Sequence, residues 1–232
     1  MVKKELPDKW VEPKIRPEPR GELKAAGKKG NAIANRVFDV IKLALGLCLL
    51  PFVYGATVAF LNQITYIEPG LQKCFWSGVV TLLLIYLFVW EPAVVYEKGH
   101  KLLEILFSFF QPLVKVAPYL LPIYAIVLFL LYLLLALFIQ DRWLIEYAMF
   151  LFGFSMSLHL VFAAKSIKSK KGDLLKSNYI FGFSFMYILN LGLIALLFNF
   201  MFREFSFVSY ANSAYSTAES IFRAIFSQLF VV

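Results

Sequence analysis

The chain contains five long apolar stretches separated by charged segments, and this pattern restricts the folds that it can adopt. A membrane-spanning helix needs about 20 consecutive, mostly apolar residues. Hydrophobic residues make up 60% of the chain and charged residues 16%, whereas soluble domains carry about 25% charged residues. We therefore predict an all-α integral membrane protein with five transmembrane helices. The predicted spans are Val37–Leu61, Phe75–Val95, Ala117–Ile139, Trp143–Ala164 and Tyr179–Phe202.

The distribution of basic residues predicts how these spans are oriented. Lysine and arginine are concentrated before the first span, after the second and after the fourth, and they are sparse in the other loops. Because cytoplasmic loops are enriched in these residues, the N-terminus is expected in the cytoplasm and the C-terminus outside. The net charge of +8 is thus mainly a topology signal, and we expect membrane lipids as partners and no nucleic acid.

Three regions follow from the span boundaries. Residues 1–36 form a charged, proline-rich cytoplasmic tail, expected to be extended or disordered because charge and proline deny it a core. Residues 37–202 form the five-span helical domain. Residues 203–232 form an external tail.

Two amphipathic helices are predicted beside the membrane. One covers Glu97–Phe110 on the cytoplasmic side. The other belongs to the external tail, where Ser216-Thr217-Ala218-Glu219 matches a capping box and an apolar stripe follows. This second helix is expected on the outer surface or against a partner, and the sequence does not separate the two positions.

The two histidines of the chain are the candidate metal ligands. His100 and Glu104 are four residues apart and share a helical face, which suits an ordinary charge-assisted pair and also suits metal chelation. His159 lies in the fourth span, where it is expected to face the bundle interior and either to hydrogen-bond there or to meet His100. If the two histidines meet, His100, Glu104 and His159 would form a His₂Glu set, which is a catalytic zinc combination, and Asp173 is a further candidate oxygen ligand on the same side.

Other polar residues in the spans have structural interpretations. Asn190 and Gly192 in the fifth span are typical of helix packing through an interhelical hydrogen bond and a small residue. Cys48 and Cys74 lie at different depths in the first two spans, so we expect no disulfide between them.

The order of several short segments resembles a known family. The segments are Gly99-His100, Ala117-Pro118-Tyr119-Leu120-Leu121-Pro122-Ile123-Tyr124, Ser157-Leu158-His159-Leu160, Asp173 after a basic run, and Tyr187-Ile188-Leu189-Asn190. Over roughly Val89 to Leu191 the chain is similar to uncharacterised bacterial membrane proteins related to site-2-protease-type intramembrane zinc metalloproteases. The resemblance implies a bacterial inner-membrane location and a metal site at His100, Glu104, His159 and Asp173.

The chain departs from that family at the residues that carry the chemistry. Lys101 stands where the family has the glutamate that activates water, and Glu104 stands where it has the second zinc-binding histidine. A lysine cannot serve as a carboxylate base and repels a cation. The resemblance therefore implies a catalytically inactive relative in which these ligands are vestigial and no cofactor is bound.

Three functions remain open from the sequence. The first is a pseudoprotease that acts as a binding or assembly subunit, with a membrane-protein partner or a second copy of itself. The second is a structural subunit of a membrane complex that is unrelated to proteases. The third is a working zinc metalloprotease that uses His100, Glu104 and His159, assisted by Asp173 or Glu91.

Overall fold

The computed structural model describes the backbone of residues 20–88, 121–139, 141–167 and 177–229, and this part of the chain is helical with short connecting turns. The six helices are α1 Arg20–Ile64, α2 Pro69–Phe88, α3 Ile123–Ala136, α4 Arg142–Ser166, α5 Ser177–Met201 and α6 Phe207–Leu229. The predicted amphipathic helix Glu97–Phe110 lies outside the described residues.

Two units are distinguished along the chain, Met1–Phe38 and Asp39–Val232. The first contains the beginning of α1, which starts at Arg20. The expectation of an extended or disordered tail up to residue 36 is therefore wrong for its second half. Pro19 is the last proline before Pro51, and the alanine, leucine, lysine and glutamate residues between them favour a helix.

Within the described residues, four helices are long and apolar enough to cross a membrane: Arg36–Ile64 within α1, Pro69–Phe88, Arg142–Lys165 within α4 and Tyr179–Met201 within α5. They correspond to the first, second, fourth and fifth predicted spans. The third predicted span appears as α3, which is 14 residues long in the described part of the chain. Residues 117–120, where that span was expected to begin, lie outside the described residues.

The second span begins earlier than expected, at Pro69 rather than Phe75. Proline is favoured at the first helical position because its missing N–H would have no helical acceptor there. The Gln72 side chain donates to the carbonyl of Ile67 at 2.6 Å and thereby closes the turn from α1. Gln72 and Lys73 make this first turn look like a loop in the sequence, which explains the error.

Helices α2 and α4 pack backbone against backbone at two glycines. A Cβ atom added to Gly78 would lie 2.0 Å from the carbonyl oxygen of Phe150, and one added to Gly153 would lie 2.0 Å from that of Phe75. Further along, Tyr86 of α2 lies beneath the ammonium of Lys165 in α4, 5.0 Å from the ring centroid. From one contact to the next the residue number rises in both helices, so α2 and α4 run parallel.

Parallel α2 and α4 require the chain to return between them, and α3 runs in that opposite direction. Near its start, Tyr124 packs on the cluster that contains Leu158 and Phe162, late in α4. Near its end, Tyr132 and Ala136 border a cavity with Leu144, early in α4. Helix α3 is therefore antiparallel to α4.

Phenylalanines fill the end of the bundle where α1 meets α2. Phe198 of α5 is fully buried and is the centre of the group. Its ring centroid lies between 5.5 and 6.1 Å from those of Phe60, Phe75, Phe152, Phe202 and Phe205. Because these rings come from α1, α2, α4 and α5 and from the turn after α5, one residue ties together four helices.

We predict that Gly78→Ala lowers the free energy of unfolding, whereas Gly192→Ala does not. The methyl group at residue 78 would force α2 and α4 apart, and overpacking of this kind costs about 1–3 kcal/mol. Gly192 is a matched control because a Cβ atom there meets nothing within 4 Å. Unfolding of both variants in lipid nanodiscs should be compared with the parent protein, and equal stability of the two variants would contradict the packing described here.

Candidate functional site

His159 is the one predicted metal ligand that falls within the described residues. It lies in α4 and is 1% exposed, which confirms that it faces the bundle interior. His100, Glu104 and Asp173 lie outside the described residues, as do Glu91 and Lys101. Whether the two imidazoles face each other thus stays a prediction.

The described residues by themselves do not form a metal site. A catalytic zinc takes three protein ligands, and the described part of the chain contains no group of three or more histidine, cysteine or acidic residues that could hold an ion. Its buried polar side chains are those of Gln63, Ser155, Ser157, His159, Ser184 and Asn190, so no described carboxylate is buried in the interior.

The interior polar groups join three helices. Asn190 of α5 donates to the carbonyl of Met156 in α4 at 3.3 Å, which confirms the predicted interhelical hydrogen bond. The hydroxyl of Tyr187 lies 2.9 Å from that of Thr57 in α1. Gly192, in contrast, contacts no neighbouring helix closely, and its predicted role in packing is wrong.

The interior polar groups bond to residues of neighbouring helices. Among the cavities bordered by described residues are one at the end of α3, one between α2 and α4, and one between α1, α5 and α6. His159, Ser155 and Asn190 line none of the three. Hydrogen bonds between packed helices contribute on average about 0.6 kcal/mol each in a membrane, so this arrangement is suited to holding the bundle together.

Helix α6 begins at Phe207, nine residues before the predicted capping box at Ser216. The hydroxyl of Ser206 accepts a hydrogen bond from the backbone N–H of Ser209 at 3.2 Å, so Ser206 is the residue that caps the helix. Asn199 of α5 accepts from the N–H of Phe207 at 3.0 Å. The capping prediction failed because residues 207–215 continue the same helical periodicity upstream.

The structure places α6 against α1 and α5 of the same chain. Gln63, at the end of α1, accepts from the N–H of Ser206 at 3.3 Å. A Cβ atom added to Gly55 would lie 2.4 Å from the carbonyl of Ala214. Phe52 and Phe222 are in contact, with ring centroids 5.9 Å apart. From one contact to the next the residue number falls in α1 and rises in α6, so α6 runs antiparallel to α1.

Through these contacts α6 extends along α1 and α5 to about the middle of both helices. At about 1.5 Å per residue, Ser206 to Phe222 corresponds to about 24 Å of helix. Phe52 is near the middle of the span Arg36–Ile64. Tyr215 borders a groove with Leu189 and Gly192, near the middle of α5. Helix α6 thus lies alongside the spans instead of across their ends.

A polar face runs along the outside of α6. It faces away from Tyr210, Ala214 and Ala218, which are buried or packed against the bundle. We define the polar face as Ser209, Asn212, Ser216, Glu219, Ser220, Arg223 and Ser227. The Arg223 guanidinium donates to Glu219 one turn away at 3.0 Å, and the two side chains are 80% and 38% exposed. Sequence reasoning followed the apolar stripe of this helix and missed the polar one, although its spacing of three and four residues is visible in the sequence.

Comparison with protein-family models, with curated proteins and with solved structures finds no match for this chain.

We predict that α6 can be crosslinked to α1. In a chain whose native cysteines Cys48 and Cys74 are replaced by alanine, a short bifunctional maleimide should join Phe52→Cys to Phe222→Cys in most molecules, because the two rings are in contact. The pair Phe52→Cys and Ser220→Cys is the control, since residue 220 lies on the polar face at a similar level. Equal crosslinking of the two pairs, read from proteolytic fragments, would contradict the position of α6.

Proposed function

We propose that this chain is a non-catalytic binding or assembly subunit in a bacterial inner membrane. Its membrane domain, residues 37–202, crosses the bilayer five times and starts from the cytoplasm. The alternating directions of α1 to α5 support this topology, because α2 and α4 are parallel and α3 returns between them. The basic residues before the first span and after α4 support the orientation.

The polar face of α6 is the observation that carries this proposal. In the proposed topology the chain leaves the membrane after α5, and α6 then turns back along α1 towards the middle of the bilayer. Tyr210, Ala214 and Ala218 face the bundle, and the polar face with its ion pair faces outwards. The outside of a bundle at this depth is either lipid or another protein.

Lipid is a poor neighbour for that face. An arginine at the centre of a membrane helix costs about 2.5–3.5 kcal/mol on the insertion scale. Pairing Arg223 with Glu219 reduces this cost but leaves the pair and the neighbouring hydroxyl groups in hydrocarbon. A protein partner with polar groups would satisfy them, because interhelical hydrogen bonds hold membrane helices together. Such a partner is what an assembly subunit requires.

The proposal includes descent from a site-2-protease-type metalloprotease whose site no longer works. Its support is the order of the sequence segments around His100, His159 and Asp173, with Lys101 and Glu104 in place of catalytic residues. The buried, interior position of His159 is compatible with such a site and equally with a helix-packing role. A structural subunit unrelated to proteases would use the same polar face of α6.

We predict that the protein purified from its native membrane forms particles heavier than one chain. Replacing Glu219 and Arg223 together by alanine should shift the particles towards the mass of one chain, because the charged centre of the contact is lost. The matched control replaces Arg142 and Glu146 by alanine, since this pair has the same spacing and is also exposed. Native mass spectrometry of the three proteins measures the effect, and single chains in the parent protein would refute the proposal.

We further predict that the purified protein contains well under one zinc ion per chain and that His100→Ala leaves its particle mass and stability unchanged. Metal analysis by mass spectrometry measures the first quantity. A stoichiometric zinc that is lost in both His100→Ala and His159→Ala would overturn the non-catalytic interpretation and favour a working metalloenzyme. His159→Ala also creates a cavity in the bundle, so a loss of stability in that variant alone would indicate packing.

A further inference from the structure

The polar face of α6 is complementary to a copy of itself. Its two charges are opposite in sign and one helical turn apart, at Glu219 and Arg223. Asn212 carries both hydrogen-bond donors and acceptors on one amide. The remaining members are serines, whose hydroxyl groups both donate and accept. An identical face placed against this one therefore offers an opposite charge to each charge and a donor and an acceptor to each polar group.

We propose that the partner that covers α6 is a second copy of this chain, bound through the same face. This inference rests on the proposed function, since it names the partner of the assembly subunit. Copies inserted in the same direction in one membrane are related by a twofold axis along the membrane normal, and such an interface uses the same patch on both subunits. The two α6 helices therefore run side by side in the same direction.

The register of that pair follows from the residues. Asn212 of each copy lies closest to Asn212 of the other, where the two amides exchange hydrogen bonds. About two and three turns further along, Glu219 of each copy reaches Arg223 of the other. Serines at 209, 216, 220 and 227 are small, and small side chains allow two membrane helices to approach closely. The ion pair that each α6 makes within itself is shared between copies in the dimer.

Flanking residues fit the edges of such an interface. Val208 and Tyr215 lie beside the polar face and are 66% and 61% exposed. They are apolar or amphipathic, which suits contact with lipid at the edge of the dimer. The polar face itself is narrow, one helix wide, and a second α6 has the same width and length.

Charge-swapped copies test the pairing directly. Glu219→Arg gives one copy two positive charges, and Arg223→Glu gives another two negative charges. Each variant alone should repel its own copies and lose self-association by about tenfold, which corresponds to about 1.4 kcal/mol. When the two variants are expressed together with different affinity tags, capture of one tag should recover the other at the level of the parent protein.

The control uses the ion pair at the beginning of α4. Arg142→Glu and Glu146→Arg, expressed singly or together, should leave self-association at the parent level, because this pair lies at the end of the bundle beside Glu68. Equal capture by single and mixed α6 variants would overturn the proposed interface. So would a parent protein whose two tags never co-purify.

Crosslinking separates the failure of this inference from the failure of the proposed function. In the background without native cysteines, Asn212→Cys should form a disulfide between copies in native membranes, whereas Tyr215→Cys on the flank of the same helix should not. A crosslink from residue 212 to a different protein would refute the second copy and leave the assembly role intact. Reaction of Asn212→Cys with a water-soluble maleimide, with no crosslink to any protein, would refute both.

Discussion

The direct contact of the α2 and α4 backbones determines much of the remaining architecture. Gly78 and Gly153 let each helix touch a carbonyl oxygen of the other, and only hydrogen is small enough for that position. The contact makes α2 and α4 parallel neighbours, so the chain between them must reverse, and α3 is the part of that return the structure describes. Phe198 can then meet Phe75 and Phe152 at once, because the two helices that carry those rings are held close together.

The same packing explains why polar groups have different roles inside and outside the bundle. Inside, Asn190 bonds to the backbone of α4 and Thr57 lies against Tyr187, so the neighbouring helices provide the partners. Outside, the bonds seen at the polar face of α6 within the described part of the chain are its own ion pair and local backbone contacts, such as the bond from Ser220 to Ser216. Polar groups of the first kind stabilise the fold of one chain, and those of the second kind need a neighbour.

The sequence predicted the apolar helices well, because the length and hydrophobicity of a span are local properties. It placed α4 and α5 to within two residues. It failed where a boundary depends on a partner: Gln72 made the start of α2 look like a loop, although its side chain closes the turn with Ile67. The burial of His159 followed from the cost of a polar group in lipid. The return of α6 along α1 could not be predicted, because it depends on the contact between Gly55 and Ala214. No local sequence pattern shows which glycine lets another helix pack against it.

The way α6 is held suggests why its position and its partner belong together. Small residues make its closest contact, at Gly55 and Ala214, and next to them is an apolar groove of about 410 Å³ between α1, α5 and α6. The groove opens to the surface, and Val208, Tyr215 and Phe226 of α6 are exposed, so the described helices of the same chain cover only part of α6. A helix that its own chain covers only in part, and that carries a polar face on the uncovered side, is stabilised further by whatever covers that face. In the proposed dimer, docking of α6 on the bundle and association through its polar face are coupled, because docking fixes the direction in which the polar face points.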